Sequence, residues 1–423
     1  MGGGRTEQDG LRICLLSYRN NPHSGGQGVY VRNLGRALHD LGHWVDIVSG
    51  PPHHALDDGI RCIPLPCLDL YNPADLFRMP TARELADPVN AVEWFGVATM
   101  GFPEPLTFGL RALRLLRRRL GDYDVLHDNQ SLSYGLWALS RRIPMVATIH
   151  HPVTVDRRYA VRAERPLWRK IQQWRWYSFI GMQKRVARRL YPIITVSGFA
   201  RGDVCREFRI PAANTRVVPN GIDTDLFRPL AGIGREPDRI IATNSADMPL
   251  KGLAHLMHAV AEVRRGRRSV RLVVIGTPNA GGALIRLVHT LGLEDAVEFT
   301  GRVSDEELVG QYARASAAVV PSVYEGFGLP AGEAMACAVP VISTTGGALP
   351  EVVGEAGVLV PPADPPALAA AIRHLLDHPH YGRELGHRGL QRVCRHFTWR
   401  RAAKGTVSAY REAIDDHRRL HAR

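Results

Sequence analysis

From residue 11 onward, short apolar runs alternate with amphipathic stretches of helical period. LRICLLSY (11–18) reads as a first strand. A helix with Val31, Leu34, Leu38 and Leu41 on one stripe follows, stopped by Gly42, and WVDIVS (44–49) is the second strand. DYDVLHDNQS (122–131), PMVATIHHP (144–152) and YPIITVSGFAR (191–201) each read as a strand ending in polar residues. Residues 50–108, with LDLYNPADLF (68–77) and GFPEPLTF (101–108), are proline-rich and read as irregular. The alternation then restarts. RIIATNS (239–245), a helix from Leu253, VRLVVIG (270–276), a helix over 283–291 and VEFTG (297–301) come in turn, and Ser304 with Glu307 forms a capping box. AAVVPS (317–322), a short helix over 330–337 and VPVIST (339–344) continue it, and helices over 366–378 and 398–415 close the chain. Strands alternating with helices predict parallel sheets covered on both faces.

The 423 residues are too many for one ordinary core. Pro219, Asn220, Gly221, Ile222 and Asp223 form a strong turn signal, so we place the boundary near 215. The expected division is a tail over 1–10, a first domain over 11–214, a second over 215–397 and a terminal helical segment over 398–423.

Composition narrows the class. With 45% hydrophobic and 22% charged residues the chain is globular. No apolar run approaches the ~18 residues of a membrane span, and no secretory leader opens the sequence. The opening Met-Gly-Gly-Gly-Arg-Thr matches the bare myristoylation pattern, but a flexible glycine tail is the simpler reading. Six scattered cysteines without a C-x-x-C pair read as reduced residues of a cytoplasmic protein. Among 18 histidines there is no H-E-x-x-H, so no metal site is expected. The net charge of +13 calls for an anionic partner: nucleic acid, a phosphate-bearing small substrate or anionic lipid. Nine arginines and two lysines fall within 157–189 against Glu164 alone, interleaved with Trp168, Trp174, Trp176, Tyr177 and Phe179, and RALRLLRRRL (111–120) is a second basic run. No nucleic-acid recognition motif accompanies them.

Candidate chemistry concentrates at residues 322–333, Ser-Val-Tyr-Glu-Gly-Phe-Gly-Leu-Pro-Ala-Gly-Glu. Glu325 and Glu333 flank a strand-to-helix turn at the carboxyl edge of a parallel sheet, where open α/β folds bind ligands. A glycosidase pair sits roughly 5–9 Å apart, whereas a helical span of this length separates them by about 12 Å. Hydroxyl recognition fits better, because carboxylates accept paired hydrogen bonds from sugar diols. Two solvated turn glutamates are the plain alternative. Near the amino terminus, Ser24-Gly25-Gly26-Gln27-Gly28 between strand and helix suits an anion cradled by glycine amides. The spacing is not G-x-G-x-x-G, and Asp46 is mid-strand with Asp57 next, which disfavours a nicotinamide dehydrogenase. His150 and His151 end the 144–152 strand.

These motifs, in this order over roughly residues 11–415, resemble the retaining glycosyltransferases of family 4. The resemblance implies the GT-B fold, an α/β arrangement of two facing Rossmann-like domains with parallel sheets and an interdomain cleft. It also implies that the last helix crosses back to the first domain. The implied activity is transfer of a hexose from a UDP- or GDP-linked sugar to a hydroxyl of a lipid, glycan or small molecule. Gly25 and Gly26 would face the donor diphosphate and the acceptor, and residues 50–108 would line the acceptor side. His150 would lie by the donor sugar, with His151 where threonine is frequent. Lys251, in SADMPLKGL, matches the lysine of R-x5-K-G and would hold the diphosphate. Glu333 would take the ribose, and Glu325 the sugar hydroxyls near the anomeric carbon. Amides at Phe327, Gly328 and Leu329, next to Gly326, would position sugar and phosphates, and Arg302 and Val303 would lie by the base. Retention would proceed by front-face substitution, the departing phosphate taking the acceptor proton, with no metal or other cofactor. The pattern departs at Ser245, where an arginine is expected; Arg302 is a candidate substitute. A sugar-nucleotide epimerase and a weakly catalytic sugar-nucleotide-binding protein share the architecture and stay open. The 157–189 stretch has three readings: a helix resting on an anionic membrane at the inner face of the plasma membrane, an acceptor pocket for phosphate or carboxylate, or an ordinary arginine-rich helix packed on the sheet.

Overall fold

The computed structural model describes residues 10–19, 26–52, 59–72, 75, 78–243 and 248–422. The chain forms two compact units, one of 1–196, 201–218 and 402–423, the other of 197–200 and 219–401.

In the first unit β1 (Arg12–Ser17), β2 (Trp44–Ser49), β3 (Arg61–Pro64), β4 (Val125–Asn129), β5 (Met145–Ile149), β6 (Ile193–Thr195) and β7 (Thr215–Val217) form a sheet in the order 3-2-1-4-5-6-7. Every pairing is parallel; Leu15, for instance, lies between Ile47 of β2 and His127 of β4. Because crossover helices cover both faces, β4 and β5 are buried along their whole length. The second unit repeats the scheme with β8 (Arg239–Thr243), β9 (Arg271–Ile275), β10 (Val297–Gly301), β11 (Ala317–Val320), β12 (Val341–Thr344) and β13 (Val358–Val360), in the order 10-9-8-11-12-13. In each sheet the strand order reverses beside the first strand, between β1 and β4 and between β8 and β11. Such switch points open a crevice at the carboxyl ends of the strands.

The described residues of 50–108 are not irregular throughout. They contribute β3 and three helices, Ala82–Leu85, Pro88–Ala98 and Glu104–Leu116. The prolines that read as breakers start helices instead. Pro88 occupies a first turn after Asp87, whose carboxylate accepts from the Val89 amide at 2.8 Å. Thr81 and Glu84 form a reciprocal capping box. The helix Pro379–His396 and the edge strand β13 were not anticipated either. The basic 157–189 stretch is broken into helices Thr154–Ala163, Leu167–Trp176 and Ile180–Ala187.

The unit boundary lies at Val218–Pro219 rather than near 215, because β7 pairs with β6 and Val218 donates to the Thr195 carbonyl. Residues 197–200 belong with the second unit through Ser197 Oγ on the Gly326 carbonyl (2.8 Å) and Glu351, which accepts from the Gly198 and Phe199 amides. The final helix, Trp399–His421, belongs with the first unit from residue 402 onward. There Glu412 pairs with Arg216 and Tyr191. The fully buried Tyr410 hydroxyl meets His127 Nδ1 at 2.6 Å, and His127 Nε2 meets Thr148 Oγ1 at 2.7 Å.

A ring with both nitrogens taken by hydroxyls is held neutral, and burial lowers the His127 pKa to about 3. An unfolded histidine ionises near 6.5, so this contribution to stability is complete above about pH 6.5 and is lost as pH falls toward 3. Tyr410→Phe leaves a buried ring nitrogen without its partner and should cost on the order of 1–3 kcal/mol in urea unfolding at pH 7. Unchanged unfolding would mean that this bond does not hold the last helix.

Candidate active site

In the second unit, the candidate residues converge on the carboxyl ends of the strands at the switch point. Lys251 lies beyond β8 and Glu325 beyond β11, the two strands that flank the reversal. Lys251 Nζ donates to Glu325 Oε1 at 2.7 Å, and Ser322 Oγ donates to the same oxygen at 2.9 Å. The second carboxylate oxygen of Glu325 has no hydrogen-bond partner among the described residues.

Glycines make this approach possible. Gly252, at φ +68°, ends the Lys251 turn, and a Cβ there would lie 1.9 Å from the Pro321 carbonyl oxygen. Gly347, at φ +71°, would place one 2.2 Å from the Glu325 carbonyl oxygen. The Glu325 carbonyl accepts from the Ala348 amide at 2.9 Å, and Thr344 Oγ1 donates to the Ser322 carbonyl. The Glu325 loop is thus clamped between the turn after β8 and the turn after β12.

Gly328, at φ +104°, turns the chain into the Leu329–Ala336 helix. No side chain caps that helix, and the Phe327, Gly328 and Leu329 amides have no partner among the described residues. A helix amino terminus with free N–H groups attracts an anion. Gly326 is held through its carbonyl by Ser197, and Phe327 is buried edge-on against Phe397 at 5.7 Å. Glu333 stands one turn into the helix, partly buried, with no hydrogen bond to its carboxyl among the described residues. Burial, then the charge of Asp305, raises its pKa to about 7. A buried carboxyl without a protein partner marks a place where a ligand supplies one. Arg302 is exposed and Val303 half-buried, both just beyond β10 at the same edge of the sheet. No ion pair of Arg302 occurs among the described residues.

The first unit has its own cluster at the carboxyl edge. His150, beyond β5, bonds Asn129 Oδ1 through Nε2 at 2.7 Å, and its amide donates to Gln130 Oε1 at 2.7 Å. Asn129 Nδ2 donates to the Gln27 carbonyl at 3.2 Å, so His150 is joined to the start of the Gly26–Asp40 helix. With Asn129 Oδ1 accepting, Nε2 carries the proton and Nδ1 is the basic nitrogen. Tyr30 packs edge-on against His150 at 4.7 Å, and burial lowers the His150 pKa to about 3, which keeps the ring neutral. His151 instead bonds Asp156 at 2.8 Å. Asn129 and Gln130 position His150; the polar end of the 122–131 strand was their only sequence signal. Gly25 and Ser245 lie outside the described residues, as do His53, His54 and Asp57. Among the described residues no group of His, Cys, Asp and Glu is placed to hold a metal ion.

Residues 24–226 match the family described as "Glycosyltransferase Family 4", and residues 237–378 match "Glycosyl transferases group 1". An "MMP alpha-(1->4)-mannosyltransferase" of Mycolicibacterium hassiacum is 46% identical over 409 residues, covering 96% of this chain and 98% of that protein. The chain belongs to glycosyltransferase family 4. A "D-inositol 3-phosphate glycosyltransferase 2" of Catenulispora acidiphila is 29% identical over 443 residues, covering 97% of each protein. A solved "Sucrose-phosphate synthase" of Thermosynechococcus elongatus superposes with a TM-score of 0.74 at 28% identity, covering 96% of this chain and 100% of that one. This family 4 glycosyltransferase therefore has the GT-B fold, with two Rossmann-like units.

The unpaired Glu333 carboxyl has a cost that can be measured. Its raised pKa means that wild-type stability declines as pH rises from about 4.5 to about 7. Glu333→Gln should therefore be the more stable protein at pH 8, by on the order of 1–3 kcal/mol, with the gap closing by pH 4.5. Equal denaturation curves at pH 8 would show that the carboxylate is already compensated. Gly347→Ala should displace the Glu325 loop, lowering the thermal midpoint and removing most transferase activity. A fully active Gly347→Ala enzyme would contradict the clamp.

Proposed function

We propose that this enzyme is a retaining α-mannosyltransferase that moves mannose from GDP-mannose to a hydroxyl of a glycan acceptor, forming an α-(1→4) link. The observation that carries this reading is the 46% identity with a mannosyltransferase along nearly the whole of both chains. The site chemistry supports it.

In this reading the free amides at the start of the Leu329–Ala336 helix and the Lys251 ammonium stabilise the diphosphate as it departs. Glu325, with one oxygen tied to Lys251 and Ser322, presents the other to the sugar hydroxyls. Glu333 takes the ribose diol, which supplies the donors its carboxylate lacks. Arg302 and Val303 lie by the base. Gly26, at the start of its helix, faces the phosphates and the acceptor.

The C1–O bond to the diphosphate breaks while the acceptor oxygen bonds C1 on the same face, and a departing phosphate oxygen takes the acceptor proton. The α configuration of the donor is thereby kept. His150, neutral and held by Asn129, accepts a hydrogen bond from a sugar hydroxyl at Nδ1 without placing a positive charge beside the forming oxocarbenium ion. No metal is assigned a role. Six free cysteines support a reducing compartment, in keeping with a cytoplasmic enzyme.

Purified enzyme should release GDP from GDP-mannose in the presence of a pool of oligosaccharide acceptors, and give an α-(1→4) product by NMR. Release from UDP-glucose alone would overturn the donor assignment, and an inverted product the mechanism. Glu325→Ala and Lys251→Ala should each lower turnover at least about a hundredfold with folding intact.

Donor affinity should weaken as pH falls below about 7, where Glu333 takes up its proton. Glu333→Gln should bind weakly with a flat profile. A wild-type Kd constant from pH 8 to 5.5 would remove Glu333 from ribose recognition.

A further inference from the structure

The basic-aromatic segment singled out in the sequence has no part in the transfer chemistry above. Its central helix, Leu167–Trp176, buries none of its residues. Leu167, Ile171 and Trp174 recur at the spacing of a single helical stripe and are exposed by 72%, 60% and 54%, with Trp168 beside them at 61%. Lys170 flanks the stripe on one side and Arg175 on the other. On the opposite face Trp176 stacks on Phe102 with ring centroids 5.2 Å apart and meets Tyr71 edge-on at 5.6 Å, which anchors the helix to its unit. The stripe therefore points outward because its back is fixed. Arg157 lies 4.1 Å over the Trp174 ring and adds a further cation at the rim.

Beside this helix opens a groove of about 470 Å³. Phe95, Phe102, Leu106 and Phe179 line it, with Arg175 and Arg185. Neither arginine is paired with a carboxylate among the described residues. Arg175 bonds Ser178 Oγ at 3.0 Å and Thr99 Oγ1 at 2.6 Å, and Arg185 bonds the Tyr134 hydroxyl at 3.0 Å. An apolar floor under two arginines without anionic partners suits an occupant with an apolar body and an anionic head.

We propose that the Leu167–Trp176 helix and this groove form a docking face for an anionic phospholipid surface. The apolar stripe enters the acyl boundary, the flanking cations meet headgroup phosphates, and the groove receives apolar chain. Charge decides among occupants. A second copy of this face would set Arg157, Arg169, Lys170, Arg175 and Arg185 against the same cations. A nucleic acid would match the charge but gains little from aliphatic Leu167 and Ile171, since bases stack on aromatic rings. No helix among the described residues is long and apolar enough to cross a membrane, so the contact proposed is interfacial.

The full chain should be sedimented with vesicles of phosphatidylcholine alone and with vesicles containing about 30% phosphatidylglycerol. Binding is expected only to the anionic vesicles, falling at least about tenfold when salt rises from about 0.1 to about 0.5 M. Free inorganic phosphate at millimolar concentration should not displace it, which separates a bilayer from a soluble anion. Ile171→Ser with Trp174→Ser should reduce vesicle binding at least about tenfold while keeping the thermal midpoint and GDP release. Arg169 lies 5.2 Å over the Trp168 ring, and Arg169→Glu with Lys170→Glu, which leaves the stripe intact, should abolish the preference for anionic vesicles. Three results would overturn the proposal: wild-type protein indifferent to vesicles, variants that sediment like wild type, or a wild-type dimer that the stripe variant dissolves. Tighter binding to a random oligonucleotide through the same residues would hand the face to nucleic acid.

Discussion

Neighbouring parallel strands cannot be joined by a hairpin; each must be reached by a crossover. That constraint organises both units of this enzyme. It covers each sheet with helices and makes the strands continuous apolar runs. It also gathers every strand-to-helix turn at one edge. Where strand order reverses, between β1 and β4 and between β8 and β11, successive crossovers leave on opposite faces and the turns part. Lys251 and Glu325 follow β8 and β11, the Gly26–Asp40 helix follows β1, and Asn129 ends β4. The chemistry stands where the topology leaves the backbone accessible.

The second unit keeps two carboxylates under different regimes. Glu325 is satisfied on one oxygen by a cation and a hydroxyl, and its loop is clamped through glycines that tolerate no side chain. Glu333 is left half-buried without a partner, and its pKa rises accordingly. The free amides of Phe327, Gly328 and Leu329 complete the pattern. Under the proposed function, a donor with a sugar, a diphosphate and a ribose would supply what each group lacks. On that proposal, stability forgone at Glu333 would be recovered on ligand binding, as is common where a site is organised for a partner.

The first unit solves the opposite problem. His127 and His150 are kept neutral by burial, His127 between two hydroxyls and His150 on an asparagine. The Tyr410–His127–Thr148–Tyr30 chain of contacts runs from the final helix to the rim beside His150. Locking this chain fixes the sheet edge without a buried charge. Apart from Arg111, buried against Glu93, a cluster of the unit's cations lies outside around the Leu167–Trp176 helix.

Much was determined by the sequence itself. Apolar runs bounded by turn residues marked most strands, because a strand buried on both faces has to be apolar throughout. The glycines around Glu325, Lys251 before Gly252 and the E-x7-E spacing pointed to the second unit's candidate site, since such an arrangement requires local geometry that few residues allow. What local pattern could not convey was partnership. That prolines at 88 and 103 begin helices depended on what those helices pack against. That Lys251 and Glu325, 74 positions apart, share an ion pair depended on β8 lying beside β11. That Asn129 and Gln130 hold His150 depended on β4 lying beside β5. Whether tryptophans in a basic helix face a core or solvent was equally undecidable from spacing, because burial belongs to the surroundings of a side chain and not to its sequence. Tertiary structure turned Trp176 inward and left Trp168 and Trp174 outside.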